Sequence, residues 1–433
     1  MLAIAWLLTV VISDSPWVEA PPAISAQQAQ QVKALAKRTL RSVNQDPVLE
    51  PEPKSISSNP DRQRPVEVSH SELDALAAML ARAYPQLHSK FDLTPGGVIL
   101  TSSLRLPDNP FGRYLSLRLR LPISIQELRI DRLQLGQLEI PEPLLQRLIP
   151  GVTQLLFGAE QSHILLHTAR LSAITTDRLT LLIDPPNNAS QQLVQILGQV
   201  RSFSGESPSL NRLWISQYYS LLQQQAMQLE SGQWVSMTYF IAPLLRRIGQ
   251  QAEPEQTHLH SQAAIMALAL YLGSGRFEQI IGPVLSDDQR RQRPHYRTLL
   301  RGRVDLRQHF IVSAALQVLA DVGFSQAIGE FKELLDSGQG GSGFSFADLA
   351  ADRAGTLFAQ HISRNPHQAT ILIDRLDRPL REPDLMIPID QLPEGLTQTQ
   401  FQQHYRDLDS ENYQLIIDRI DTDLNNLRLY SER

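Results

Sequence analysis

The period of the hydrophobic pattern changes once along this 433-residue chain, and that change limits the fold to two unlike parts. Val98, Leu100, Leu104 and Leu106 fall on one parity. Leu115, Leu117, Leu119 and Leu121 alternate with Ser116, Arg118 and Arg120. Alternate side chains of an extended chain point to opposite faces of a sheet, so these are half-buried strands. The pairs Leu128/Ile130, Leu133/Leu135 and Leu138/Ile140 continue the pattern, with a turn at Gly136-Gln137. Two more strands are expected over 164–171 and 179–184, and Pro185-Pro186 closes the region. From Ser190 onward apolar residues stand three and four apart over 191–203, 210–229, 234–249, 261–273, 305–320, 325–336 and 346–361. That spacing is helical.

Local signals place helices around the strands. Ser69 followed by Glu72 reads as a capping box, with Leu73, Leu76, Ala77 and Leu80 behind it and Pro85 as the stop. Pro141 opens a second helix through Leu144, Leu145, Leu148 and Ile149. The expected class is therefore α+β. An N-terminal helix plus an antiparallel curled sheet forms one domain over 66–186, and an all-helical domain follows over 190–363. Residues 364–433 are expected as an irregular segment to 386 and then amphipathic helices. Thr397 and Gln400 cap the first of these. Tyr413, Ile416, Ile417, Ile420, Leu424 and Leu427 form an apolar stripe on the last.

Residues 2–12 (LAIAWLLTVVI) are apolar apart from Thr9, and no Lys or Arg occurs before Lys33. The run is about half the roughly 20 residues a bilayer span needs. It matches the apolar region of a signal peptide or signal anchor over 1–20, although the basic flank is missing. Val18-Glu19-Ala20 has cleavage-like spacing, but Pro21 follows. A buried N-terminal strand or helix is the other reading. Residues 21–65 read as a polar spacer, punctuated by Pro47, Pro51, Pro53, Pro60 and Pro65. These features imply a periplasmic location, with or without inner-membrane anchoring.

Bulk properties exclude several roles. A net charge of −5 argues against nucleic acid as a partner, and 6% aromatic residues argue against base-stacking platforms. The absence of cysteine excludes disulfides, thiolate metal sites, cysteine nucleophiles and a lipidated N-terminal cysteine. His258 and His260 lack a third ligand at fixed spacing, so no metal site is assigned to them, and no cofactor can be named. The arginines from Arg290 to Arg307 suit either a solvated face or anionic headgroups.

The helix, strand meander and closing Gly136-x-Leu138-x-Ile140-Pro141 resemble exported AsmA-like and tubular-lipid-binding-like domains over about 66–186. That resemblance implies an acyl chain held between a curled sheet and a helix. The spacing alone fits an ordinary filled core equally well.

Residues 304–355 carry the richest pattern. Asp305 and His309 stand one helical turn apart, Lys332-Glu333 and Asp336 follow, and Asp348, Asp352 and Gly355 lie on a last helix. Ser345 and Asp348 also read as a helix cap. This stretch resembles the YfiM-type lipoproteins and, distantly, the VanZ-like membrane family. It departs from them in lacking the lipoprotein cysteine and in having Asp352 where the VanZ-like pattern tends to have Asn. Asp305, His309, Glu333, Asp348 and Asp352 are expected to converge on one polar pocket, with the His309 imidazole raised by its carboxylates. They form a structural network, a metal or hydrolytic site, or a wet cleft. Gly341, Ser342, Gly343 and Ser345 are a candidate anion site, because a glycine-rich connector there enters a helix N-terminus.

The functional expectation is an exported envelope protein that binds membrane lipid, a membrane surface or an envelope partner without catalysis. The alternatives are a hydrolase or metal-dependent enzyme using the 305–355 cluster, and an interaction scaffold docking through its amphipathic tail. No particular protein partner follows from the residues.

Overall fold

The alternating leucines form an antiparallel sheet, and the chain as a whole is α+β. The computed structural model describes residues 8–22, 24–44, 64–124, 129–157, 162–163, 166, 169–183, 210–275, 277–291, 296–319, 328–329, 332–333 and 342–431. It divides into two units, Met1–Gln192 and Leu193–Arg433. The expected boundary at 185–190 and the expected helix over 191–203 lie outside the described residues.

In the first unit the elements are β1 (Ile12–Ser13), α1 (Ala26–Asn44), β2 (Arg64–Ser69), α2 (His70–Ala83), β3 (Leu87–Thr94), β4 (Gly97–Arg105), β5 (Tyr114–Pro122), β6 (Arg132–Leu135), β7 (Leu138–Ile140), α3 (Glu142–Phe157), β8 (Ala169–Ile174) and β9 (Arg178–Ile183). One sheet runs β3-β4-β5-β6-β7 as an antiparallel meander, with β1 also paired to β5. A second, smaller sheet runs β2-β9-β8. Its core holds Leu35, Val66, Val68, Leu73, Val98, Leu171 and Leu179.

The capping box at α2 forms. Glu72 accepts from the Ser69 amide at 2.8 Å and Ser69 Oγ accepts from the Glu72 amide at 3.3 Å. Arg38 from α1 donates to Glu72 at 2.7 Å. Burial pushes the Glu72 carboxyl up, but the Ser69 and Arg38 hydrogen bonds outweigh it and leave it below the usual range. A polar hollow of about 450 Å³ lies beside this cap, lined by Arg38, Glu67, Glu72 and Arg178.

Several expectations need correction here. Residues 26–44 are helix rather than spacer. No proline interrupts them, and Ala26, Ala29, Val32 and Leu35 repeat every three residues and are buried. The prolines at 47–60 lie outside the described residues. Pro65 sits within β2, where an edge strand tolerates its missing N–H. The strand expected over 164–171 begins only at Ala169, residues 162–163 and 166 being helical. Ile130 lies outside any strand, and Leu128 outside the described residues. Strands β2 and β3 were not anticipated. The end of the apolar N-terminal run lies on the sheet: Ile12 and Ser13 pair with Leu115 and Tyr114. The Gln137 amide donates to the Val10 carbonyl at 2.9 Å. No described helix is long and apolar enough to cross a membrane.

The second unit contains α4 (Arg212–Ala226), β10 (Trp234–Ser236), α5 (Thr238–Gln251), α6 (Thr257–Leu268), β11 (Arg297–Leu299), α7 (Val304–Leu319), α8 (Phe346–Ser363), α9 (Pro366–Asp374), α10 (Gln398–Tyr405) and α11 (Glu411–Asn425), besides shorter turns of helix. It is not all-helical, since β10 and β11 form a short parallel pair. The segment 234–249 opens with that strand instead of continuing as one helix. Residues 364–386 are not irregular throughout. Asn365 caps α9, with Pro366 at the first helical position, and Glu382–Leu385 form another turn.

Helix α6 is buried all round from His260 to Leu268, as a helix with no polar face must be. Against it lies α8, and α8 in turn packs closely on α7. Most of the C-terminal stripe packs inward. Tyr413, Ile417, Ile420 and Leu424 are buried, while Ile416 and Leu427 are half-buried. Phe344 exchanges backbone hydrogen bonds with Leu396 at 2.7 and 3.0 Å, and its ring lies 4.4 Å from that of Phe401.

Candidate functional site

Helix α7 carries His309 and Ser313 one turn apart, and α8 carries Asp348 and Asp352 one turn apart. Equal spacing on two neighbouring helices brings the pairs face to face. Close approach is possible because Gly355 has no side chain: a Cβ there would lie 2.0 Å from the Phe310 carbonyl oxygen.

His309 bridges the two carboxylates. Its Nδ1 lies 3.1 Å from Asp352 Oδ2 and its Nε2 3.3 Å from Asp348 Oδ2. Ser313 Oγ donates to Asp352 Oδ1 at 2.6 Å. Glu333, described with Lys332 as a helical pair of residues, is fully buried. Its Oε2 accepts from the Ser345 amide at 3.0 Å, and Lys332 Nζ lies 3.2 Å from Oε1. His309, Glu333 and Asp352 each offer a donor atom within 4.8 Å of the others.

Burial alone would lower the His309 imidazole. The charge of Asp352 and the hydrogen bonds to Asp348 and Asp352 prevail and raise it to about 10. Burial raises the Glu333 carboxyl to about 7. Lys332 opposes the rise, while Asp348 and Asp352 add to it.

Four of the five expected residues thus converge. Asp305 does not join them. It is captured by Arg303, with contacts of 2.6 and 3.1 Å, and is half exposed. Arg303 hydrogen bonds, then desolvation opposing them, leave its carboxyl below the usual range. The guanidinium is closer in sequence than His309 and pairs with a carboxylate in two contacts, which an imidazole cannot do. Arg303 also reaches Glu394 at 2.5 Å and Asp348 at 3.4 Å, so it links Asp305 to the edge of the cluster.

The described part of the candidate anion site is occupied from within the chain. Gly341 lies outside the described residues, Ser342 is exposed, and Gly343 (φ +93°) packs its backbone on Gly395. The amides that would bind an anion are already committed. Ser345 N donates to Glu333, Phe346 N to the Pro393 carbonyl at 2.9 Å, and Asp348 N to Ser345 Oγ at 3.1 Å. The cap at Ser345 forms, but its amide pairs with Glu333 in place of Asp348. Asp336 lies outside the described residues.

The weaker candidates resolve as structure. His260 Nδ1 hydrogen-bonds Tyr218 at 2.9 Å and its ring stacks on Trp214, so it is held as a core residue. Arg290 pairs with Glu278, Arg297 covers the Trp234 ring, and Arg301 and Arg307 donate to the carbonyls of Met386 and Leu272. These arginines do not make a free basic face.

The first unit holds a second feature. Pairing across β3 to β7 puts Leu100, Leu119 and Leu133 opposite one another in turn, with Leu117 and Leu135 beside them on the same face. One end of this face enters the buried core through Phe91, Leu93, Val98 and Leu121. The remaining leucines are only half-buried. The opposite face is polar and is covered by the N-terminal segment. Trp17 and Val18 amides donate to Ser103 Oγ at 2.8 and 3.2 Å, and Arg118 lies over the Trp17 ring.

No family model, curated protein or solved structure matches the chain.

Proposed function

We propose that this chain is an exported cell-envelope protein that binds a membrane lipid through the leucine face of its first unit. The observation that carries the reading is the register of β3 to β7. It aligns Leu100, Leu117, Leu119, Leu133 and Leu135 on one face and leaves them half-buried. A sheet face that only completes a core is fully buried, whereas one that accepts an acyl chain keeps apolar area in reserve. On α3, Leu144 and Leu148 are exposed too. The occupant is an acyl chain because the leucine positions carry no charge and no hydrogen-bonding group. The resemblance of residues 66–186 to AsmA-like and tubular-lipid-binding-like domains supports the same reading. The polar hollow at Arg38 and Glu72 is unsuited to acyl chains.

Native mass spectrometry of the full chain from a membrane-containing extract is the test. Lipid adducts are expected, and folded Leu119→Asn should reduce them. A folded wild-type protein free of lipid, and unable to take up a fluorescent fatty acid, overturns the proposal. Export rests on residues 2–12 and has its own test. A reporter enzyme that works only in the periplasm, fused after residue 65, should be active, and a soluble cytoplasmic product would count against export.

A further inference from the structure

The two nitrogens of the His309 ring pose a problem of protons. Asp348 Oδ2 lies 3.3 Å from Nε2 and Asp352 Oδ2 lies 3.1 Å from Nδ1. A neutral imidazole has one N–H and a carboxylate has only acceptors. With the hydrogen on Nε2 for Asp348, the Nδ1 lone pair meets an oxygen lone pair. Something positive must sit between them, either a second proton or a metal ion.

We infer that His309, Glu333 and Asp352 bind a divalent first-row transition-metal ion. A proton shared by His309 and Asp352 needs no third ligand, yet Glu333 brings a donor atom within 4.8 Å of one on each of the others. All three side chains are more than nine-tenths buried. Each is also held from outside the trio. Asp348 fixes the imidazole, Ser313 holds Asp352 Oδ1 at 2.6 Å, and the Ser345 amide holds Glu333 Oε2 at 3.0 Å. Such outer partners orient metal ligands and set the histidine tautomer. Gly329 keeps the space beside Asp352 open, since a Cβ there would stand 3.0 Å from Asp352 Oδ2.

One imidazole and two carboxylates suit Zn²⁺ or Mn²⁺ better than Ca²⁺ or Mg²⁺, which prefer oxygen ligands alone. Metal–ligand bonds of about 2.1 Å place neighbouring donors roughly 3.4 Å apart on a tetrahedral ion. Donor atoms within 4.8 Å of one another need to close by at most about 1.4 Å to reach that spacing.

The test uses full-length protein stripped with a chelator and then dialysed. Mn²⁺ alone is titrated and followed by loss of the free-ion electron paramagnetic resonance signal. Zn²⁺ alone is added, and metal is measured after gel filtration. A stoichiometric ion is expected in the wild type. Ser313→Ala removes only a hydroxyl and should weaken binding about tenfold. Glu333→Gln should abolish binding. Asp305→Asn, whose carboxylate belongs to Arg303, should bind as the wild type does. Circular dichroism checks each fold. Retention of neither ion by folded wild-type protein overturns the proposal and leaves a shared proton. Binding unchanged in folded Ser313→Ala overturns the assignment to this trio, whether or not Glu333→Gln folds.

Discussion

Gly355 touches the backbone of Phe310 so closely that an added Cβ would overlap the carbonyl oxygen at 2.0 Å. Backbone cannot swing aside as the end of a long side chain can, so α7 and α8 would have to part. Gly355→Ala is expected to destabilise the protein by about 3 kcal/mol, the upper end of overpacking costs. The urea midpoint of the full chain measures it. An unchanged midpoint would mean that the helices do not meet at this residue.

Ser103 ties the N-terminal segment to the sheet. Its hydroxyl takes the amides of both Trp17 and Val18 and also bonds Ser116 Oγ at 2.9 Å. Ser103→Ala leaves those amides without their acceptor, at about 1–2 kcal/mol. Trp17 emission should shift to the red, and amide exchange at Trp17 and Val18 should quicken. If the mature protein is cleaved after Ala20, the same substitution leaves the segment's signals absent from both proteins. The experiment therefore also reports on processing.

The pair formed by Asp384 and Arg428 gives an acid-dependent term. Both side chains are 13% exposed, and the contacts are 2.7 and 2.8 Å. Burial pushes the Asp384 carboxyl up, but hydrogen bonds from Arg428 and the Arg381 amide prevail and hold it below the usual range. A depressed carboxylate adds stability above its unfolded value, near 3.9. That stability is lost as pH falls through the lower folded value. Asp384→Asn should cost about 2 kcal/mol at pH 7. The gap between variant and wild type should begin to narrow below about pH 4 and go on narrowing as the pH falls further. Urea midpoints at pH 7 and pH 3 decide this, and a gap as wide at pH 3 as at pH 7 would contradict it.

Local spacing made much of this structure legible. Ser69 with Glu72, Thr397 with Gln400, and the leucines of β4 and β5 each need only neighbours a few residues away. The pairing of His309 with Asp348 and Asp352 was legible for a similar reason, since spacings of four on two helices align once the helices meet. Partners that depend on long-range packing were not legible. Arg303 takes Asp305 away from His309, and it is held in place by Glu394, 91 residues along the chain. The N-terminus of α8 looked open to an anion because Glu333 and Pro393, which fill it, arrive from distant segments. Strand β3 did carry a signal, in the parity of Leu87, Phe91 and Leu93, but Lys90 and Asp92 gave it a polar look.

The C-terminal segment is part of the second unit's core, and its removal should be fatal to that unit. Phe344 and Phe346 are fully buried, and so is Tyr413, which packs on both. Phe401 and Tyr405 lie against the same two phenylalanines, and Asp421 pairs with the buried guanidinium of Arg353 at 2.6 Å. Deleting residues 397–433 removes three of these rings and exposes the other two. Each buried aromatic contributes about 2–3 kcal/mol, so the total loss rivals the 5–15 kcal/mol typical of a domain. The stranded Arg353 charge adds to it. The truncated chain should therefore lose the cooperative unfolding transition of the second unit and be cut by protease throughout 210–396. A truncated protein that melts cooperatively at the wild-type midpoint would mean instead that these helices are an appendage.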